Sequence, residues 1–277
     1  MWQGSTSRCI GGTGTVNQLN RIFRPKRADG GKKGGNLSPM QSAPRAICLV
    51  SGGMDSAVTL AEARAMGFEC FALSMDYGQR HKTELERARA VALAGGAAKH
   101  QIVHVGLSEL GGSALTDDIE VPKDRDEQDI GEGVPVTYVP ARNTVFLSIA
   151  LGWAEVLGAR HLFIGANQVD YSGYPDCRPE FLRAFEALAD KATAVGAEEG
   201  AHFKVEAPLL DLSKAQIVQR AAELGVDLSL TITCYDPVDR DGITYSCGHC
   251  DACILRLKGF AEAGVTDPIP YLEEQQS

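Results

Sequence analysis

The apolar run Ala46-Ile47-Cys48-Leu49-Val50 breaks into Ser51-Gly52-Gly53-Met54-Asp55-Ser56, which opens a helical stretch. That combination suits a polyanion. The glycines let the backbone turn back and present N–H groups, the serine hydroxyls add donors, and the helix start puts positive dipole beneath the charge. Asp55 adds a carboxylate for Mg²⁺. A glycine pair after a strand is by itself only a tight turn; the flanking serines and Asp55 favour a phosphate cradle. It is not a Walker A loop, because no GxxxxGK[ST] occurs and no lysine follows the glycines. A second constellation is Cys234, Cys247, Cys250 and Cys253, four of the chain's eight cysteines. Without a secretion signal, clustered cysteines point to metal and not to a disulfide framework. CxxCxxC also begins an iron–sulfur run, but Ile-Leu-Arg-Leu follows Cys253 where that run would continue xxxCP. Four thiolates with no open position suit tetrahedral structural Zn²⁺, with His249 a weaker substitute ligand.

These groups need a scaffold, and from residue 46 onward strand-like and helix-like segments alternate, which argues a parallel sheet covered on both faces. Strands are expected at 46–50, 68–75, 101–105, 161–164 and 203–205. Helices are expected at 56–66, 82–94, 144–157, 179–194 and 213–224, the last capped by Ser213. In the helix from 82, Glu84, Glu86, Arg87 and Arg89 form the polar face. The acidic stretch Asp117 to Glu132 reads as a mobile loop or lid. Ligands in such sheets bind beyond the carboxyl ends of the strands, where the cradle, Asp76 and the loop from Gly165 to Asp176 all fall.

With 277 residues, 44% of them hydrophobic, the chain can bury one α/β core plus an appendage. No apolar run approaches the roughly 20 residues that span a bilayer. Residues 1–43 hold seven Lys/Arg and one Asp, a net of +6, so the total of −9 leaves −15 for residues 44–277. The body therefore lacks the basic face of a general nucleic-acid binder. Eight of the 30 glycines also fall in residues 1–43, which read as a disordered tail. A transit peptide is the alternative there, though the glycines oppose an amphipathic helix; translation from Met40 is a third.

Ser51-Gly52-Gly53-Met54-Asp55-Ser56 resembles the PP-loop of the ATP pyrophosphatases, which split ATP between its α and β phosphates and adenylate a substrate. Other segments are more specific. DYGQRHKTEL at 76–85, YVPARNTVFLSIA at 138–150, GANQVDYSGYPDCRPEF at 165–181 and CGHCDACILR at 247–256 are similar to the 7-cyano-7-deazaguanine synthase family. With the PP-loop, in that order, they are spread along almost all of residues 46–262. One departure is the Asp236–Tyr245 excursion between Cys234 and Cys247, longer than many relatives carry; the ligand count is unaffected.

The resemblance implies a Rossmann-like, adenine nucleotide alpha hydrolase-like domain over 44–230. A small zinc-binding region over 231–277 would pack on it. It implies ATP, Mg²⁺ and Zn²⁺ as cofactors, and 7-carboxy-7-deazaguanine and ammonia as substrates. Leu49, Val50 and the loop 51–56 would take the nucleotide, with Ser51, Asp55 and Ser56 catalytic and Asp76, Arg142 and Asn143 alongside. Tyr138, Asp170, Tyr171, Tyr174 and Asp176 would line the deazapurine pocket. A cytoplasmic enzyme is expected, as a homodimer, with no stable nucleic-acid partner and no membrane.

Each role has a plainer counterpart. Arg142 could be a surface ion-pair partner, the tyrosines could be core edges, and Asp176 could cap the helix that follows it. His81 could be a base or phosphate donor, although an isolated loop histidine is more often solvated; His104 and His161 read as structural. Of the thiols outside the cluster, Cys177 alone lies where chemistry could reach it. Two rival functions use the same loop. A tRNA-base thiolase would want a basic surface and a sulfur-carrying cysteine, and a nucleotide sensor would bind ATP without turnover.

Overall fold

The structure, a computed structural model, describes residues 42–79, 81, 83–126, 130, 133–168 and 173–273. The expected tail lies outside them up to residue 41, and so do Asp170 and Tyr171.

Residues Ser42–Ser277 form one compact unit. Its five strands are β1 (Arg45–Leu49), β2 (Glu69–Asp76), β3 (Lys99–His104), β4 (His161–Phe163) and β5 (Lys204–Glu206). They run parallel in the order β3-β2-β1-β4-β5. Alternation along β1 explains why both faces are covered: successive side chains point to opposite sides of a strand. Ile47 enters the cluster of Phe71, Leu73, Leu147, Leu151, Leu182 and Phe185, beneath α3 (Arg142–Leu157) and α4 (Pro179–Ala192). Ala46, Cys48 and Val50 enter the other, with Leu60 and Ala63 of α1 (Met54–Ala65) and Ala88 and Val91 of α2 (Thr83–Ala94). Strand order reverses between β1 and β4, and a crevice opens at such a switch point beyond the carboxyl ends. This is a Rossmann-like sheet, and the cradle begins at its switch point.

After the short α5 (Ala194–Glu199) and β5, helix α6 (Lys214–Glu223) starts at Ser213, whose hydroxyl accepts from Gln216 N–H in a capping box. The Asp236–Tyr245 excursion is a hairpin, β6 (Val238–Arg240) with β7 (Ile243–Tyr245). Helix α7 (Asp251–Glu262) then returns to pack on α6. Its Arg256 is fully buried. The guanidinium donates to Asp267 at 2.7 and 2.9 Å and to the hydroxyls of Thr231 and Thr233 at 2.8 and 3.0 Å. Truncating one partner of such a buried pair costs about 3–5 kcal/mol, so Arg256 clamps the segment 231–233 to the C-terminal strap.

The described part of the acidic stretch, residues 117–126, is pinned and does not stand as a free lid. Lys123 pairs with Asp236 at 2.7 Å, Asp124 N–H donates to His249 carbonyl at 2.9 Å, and Arg125 donates to Asp251 at 2.9 Å. Opposite charges on the cysteine-bearing segment hold it down, which composition alone did not reveal.

Candidate active site

β1 ends at Leu49 and α1 begins at Met54, so four residues must turn the chain off the sheet. Ser56 donates its hydroxyl to Gly53 carbonyl at 2.9 Å, while Ser51 N–H and Gly53 N–H donate to the hydroxyls of Ser56 and Ser51 at 3.2 and 3.3 Å. These bonds tie the loop into one shape. No side chain caps α1, so its first-turn N–H groups have no acceptor within the helix and are left for an anion. Gly52 sits at φ +89°, and a Cβ there would stand 2.5 Å from Glu84 carbonyl and 2.7 Å from Ala88 N. The first turn of α2 therefore rests directly on the loop. From the other side, Ile232 N–H donates to Gly52 carbonyl at 2.9 Å.

Asp55 divides its carboxylate. Oδ2 accepts from Lys214 Nζ at 2.7 Å and from Asn167 Nδ2 at 3.4 Å, while Oδ1 is buried with no hydrogen-bond partner. A bare carboxylate oxygen inside this loop fits a divalent cation, since hard cations take oxygen ligands. Lys214 reaches it because α7 offers no side chain at Gly259, where a Cβ would lie 2.7 Å from Lys214 Cβ.

Beyond the loop opens a cavity of about 230 Å³. Leu49, Val50, Ser51, Gly53, Asp55, Ser56, Arg142, Asn143 and Tyr174 line it, as the sequence led us to expect. Five described candidates do not. Gly52 sits against α2 on one side and Ile232 on the other. Met54 is buried among Val58, Ile217, Val218 and Phe260, because the first residue of α1 faces α6 and α7. Asp76 pairs with His104 at 2.9 Å. The Tyr138 hydroxyl accepts from Ala141 N–H at 3.0 Å, with its ring 6.0 Å from that of Tyr174. Asp176 accepts from Asn143 N–H at 2.9 Å; it caps α3 from across the fold, not the helix that follows it, and burial raises its pKa.

Several residues of the site were missed. Lys214, which holds Asp55, lies 159 residues from it, so a search for lysine next to the glycines passes over it. Tyr77, Gln79, Glu84, Phe146 and Tyr235 face the cavity. Glu84 belongs to the polar face read for α2, yet it turns into the cavity, where burial pushes its pKa up to about 7 against the pull of Arg142. The guanidinium of Arg142 is also desolvated, but the oxygens of Tyr77, Tyr174 and Tyr235 around it outweigh that and keep it charged.

The second site lies behind the cavity wall. The sulfurs of Cys234, Cys247, Cys250 and Cys253 all fall within 4.8 Å of one another, and all four residues are buried and free of disulfides. Cys247 and Cys253 are 3.9 Å apart. A tetrahedral Zn²⁺ with bonds of about 2.3 Å sets its sulfurs about 3.8 Å apart, so the cluster fits that ion. Five backbone N–H groups point at three of the sulfurs, from Tyr235, Asp236, Cys247, His249 and Cys250, at 3.2–3.4 Å. Such donors stabilise thiolate charge. His249 turns away to Asp124 at 2.6 Å.

Comparison with known families matches residues 45–264 to "Queuosine biosynthesis protein QueC". The chain belongs to the QueC family. A relative of Syntrophotalea carbinolica named 7-cyano-7-deazaguanine synthase is 60% identical, over 84% of this chain and 98% of that one. A relative of the same name from Myxococcus xanthus is 57% identical over 83% of this chain and 98% of its own length. Among solved structures, that of NMN synthetase from Francisella tularensis is 18% identical, covers 81% of this chain and 74% of that one, and aligns with a TM-score of 0.43. In this QueC chain the matched span begins with β1 and ends just past α7, so cradle, cavity wall and cysteine cluster all fall inside it. Among the described residues no helix is long and apolar enough to cross a membrane.

Proposed function

We propose that this chain is a ligase that converts 7-carboxy-7-deazaguanine and ammonia into 7-cyano-7-deazaguanine, in queuosine biosynthesis, by two rounds of ATP cleavage to AMP and pyrophosphate. The observation that carries it is the near-complete overlap with relatives of that name at up to 60% identity, joined to an uncapped helix N-terminus that opens on a cavity.

The chemistry explains why such a loop is needed. A carboxylate has no good leaving group, so ammonia cannot displace its oxygen at neutral pH. Attack of the carboxylate oxygen on the α-phosphorus forms a C(O)–O–P anhydride and breaks the bond to pyrophosphate. The hydroxyls of Ser51 and Ser56, the N–H groups of residues 52–56 and the Lys214 ammonium would hold the departing pyrophosphate, worth about 10²–10³ in rate per well-placed donor. Asp55 would hold Mg²⁺, which neutralises phosphate charge when bound. Ammonia then expels AMP to give the amide. The amide oxygen is adenylated in its turn, and loss of AMP leaves the nitrile. Arg142 would orient the substrate carboxylate, with Asn143 beside it, and the rings of Tyr77 and Tyr174 would flank the heterocycle. Asp170 and Tyr171 keep their expected place in that pocket as part of the proposal.

The cysteine cluster would hold structural Zn²⁺, with all four ligand positions taken by protein. A cytoplasmic homodimer acting on small molecules, with no stable nucleic-acid partner, completes the proposal. The test is mass spectrometry of products from purified protein with ATP, ammonium and 7-carboxy-7-deazaguanine. Nitrile with two AMP per turnover is expected; AMP release only in the presence of tRNA would place the chain with the base-modifying thiolases.

A further inference from the structure

Both nitrogen steps release protons, and none of the roles assigned above accepts them. We propose that Glu84 is the general base of the amidation and dehydration steps, an assignment that rests on the reaction proposed above. Three observations support it. Glu84 lines the same cavity as Ser51, Asp55 and Arg142. Its backbone carbonyl lies against Gly52, so its helix is anchored to the loop that holds the reacting phosphate. Its carboxylate interacts with Arg142 of the same cavity, whereas the other acids nearby are held by fixed partners: Asp55 Oδ2 by Lys214, Asp76 by His104 and Asp176 by Asn143.

The groups around it set its poise. Arg142 of α3 favours the ionised form, burial opposes it more strongly, and the Tyr77 phenol feels its charge. Asp55, Tyr174 and Tyr235 face the same space from the loop, from the segment before α4 and from the cysteine-bearing segment. A carboxyl that titrates near 7 is half-ionised at neutral pH, where a general base is most effective.

Ammonia forms a C–N bond to the acyl-adenylate carbon, the C–O bond to AMP breaks with its electron pair on AMP, and one N–H proton passes to Glu84. After the amide oxygen is adenylated, the nitrogen gives up its two remaining protons in turn as C≡N forms and the second AMP departs. Between transfers Glu84 returns each proton to water at the cavity mouth.

The experiment compares wild type with Glu84→Gln in two assays. Exchange of pyrophosphate into ATP, dependent on 7-carboxy-7-deazaguanine and run without ammonium, reads the first adenylation and the intact fold. Amide and nitrile formation at constant free ammonia, from pH 5.5 to 9, reads the proton transfers. Glu84→Gln is expected to keep exchange within about threefold and to lose at least about a hundredfold in amide formation. The wild-type rate should rise with pH through about 7, as the base ionises, and the variant should lack that limb. Amide formation at the wild-type rate with the limb intact overturns the assignment. So does a parallel loss of exchange, which would make Glu84 a contact to the heterocycle. A wild type that yields neither amide nor nitrile overturns the reaction and, with it, the base.

Discussion

Asp55 shows how one side chain serves charge and fold together. Its Oδ2 lies 2.7 Å from Lys214 Nζ, and their side chains are 18% and 12% exposed. Near-burial strengthens the pair but also makes it costly to break. Asp55→Ala should cost about 1.5–3 kcal/mol, the range for a hydrogen bond to a charged group, which leaves a cooperatively folded protein. Adenylation should nevertheless fall at least about a hundredfold in Asp55→Ala, Lys214→Met and Ser51→Ala alike, read as AMP release with the fold checked by thermal melting. Near-normal AMP release in all three would reduce the loop to a turn. The loop residues were legible because their types are local and adjacent. Lys214 was not, because α1, α6 and α7 must pack before it arrives.

At the scale of elements, periodicity recovered the sheet and its covering helices to within a few residues, since β1 and β2 are apolar on both faces and the helices alternate with them. What it missed depends on close approach between elements. Nothing in DYGQRHKTEL reports that α2 will lie on the loop after β1 with Glu84 turned inward; the information is at Gly52, 32 residues before Glu84. A Cβ at Gly52 would sit 2.5 Å from a backbone carbonyl at a φ of +89°, so neither a rotamer change nor a relaxed backbone relieves it. Gly52→Ala should therefore push α2 off the loop, with a loss of more than about 1 kcal/mol from backbone strain alone. Binding of ATP should weaken in the same variant, measured by calorimetry alongside denaturant unfolding. Gly67, at φ +90° with open space around it, is the control: Gly67→Ala should cost comparable backbone strain and leave ATP binding unchanged.

Across the whole molecule, the cysteine cluster and the cradle are one structure, although the sequence presents them about 180 residues apart. Ile232, two residues before Cys234, donates to Gly52 carbonyl, and Thr233 and Tyr235 line the cavity. Arg256 grips Thr231 and Thr233 from behind, and Lys123 and Arg125 tie the acidic stretch to the same segment. A metal at the four thiolates would therefore hold a wall of the site, and binding to a site absent from the unfolded chain stabilises the fold. Purified protein should be colourless and carry about one zinc per chain, because four sulfurs fill a tetrahedral shell. Cys250→Ser should lower zinc content and melting temperature first. It should also raise the KM for ATP as the wall at Ile232 loosens, with a smaller effect on kcat because no ligand position is open to substrate. Stoichiometric iron with a brown colour would replace zinc with a cluster. A stable Cys250→Ser chain with normal KM and abolished turnover would instead move the thiols into the chemistry.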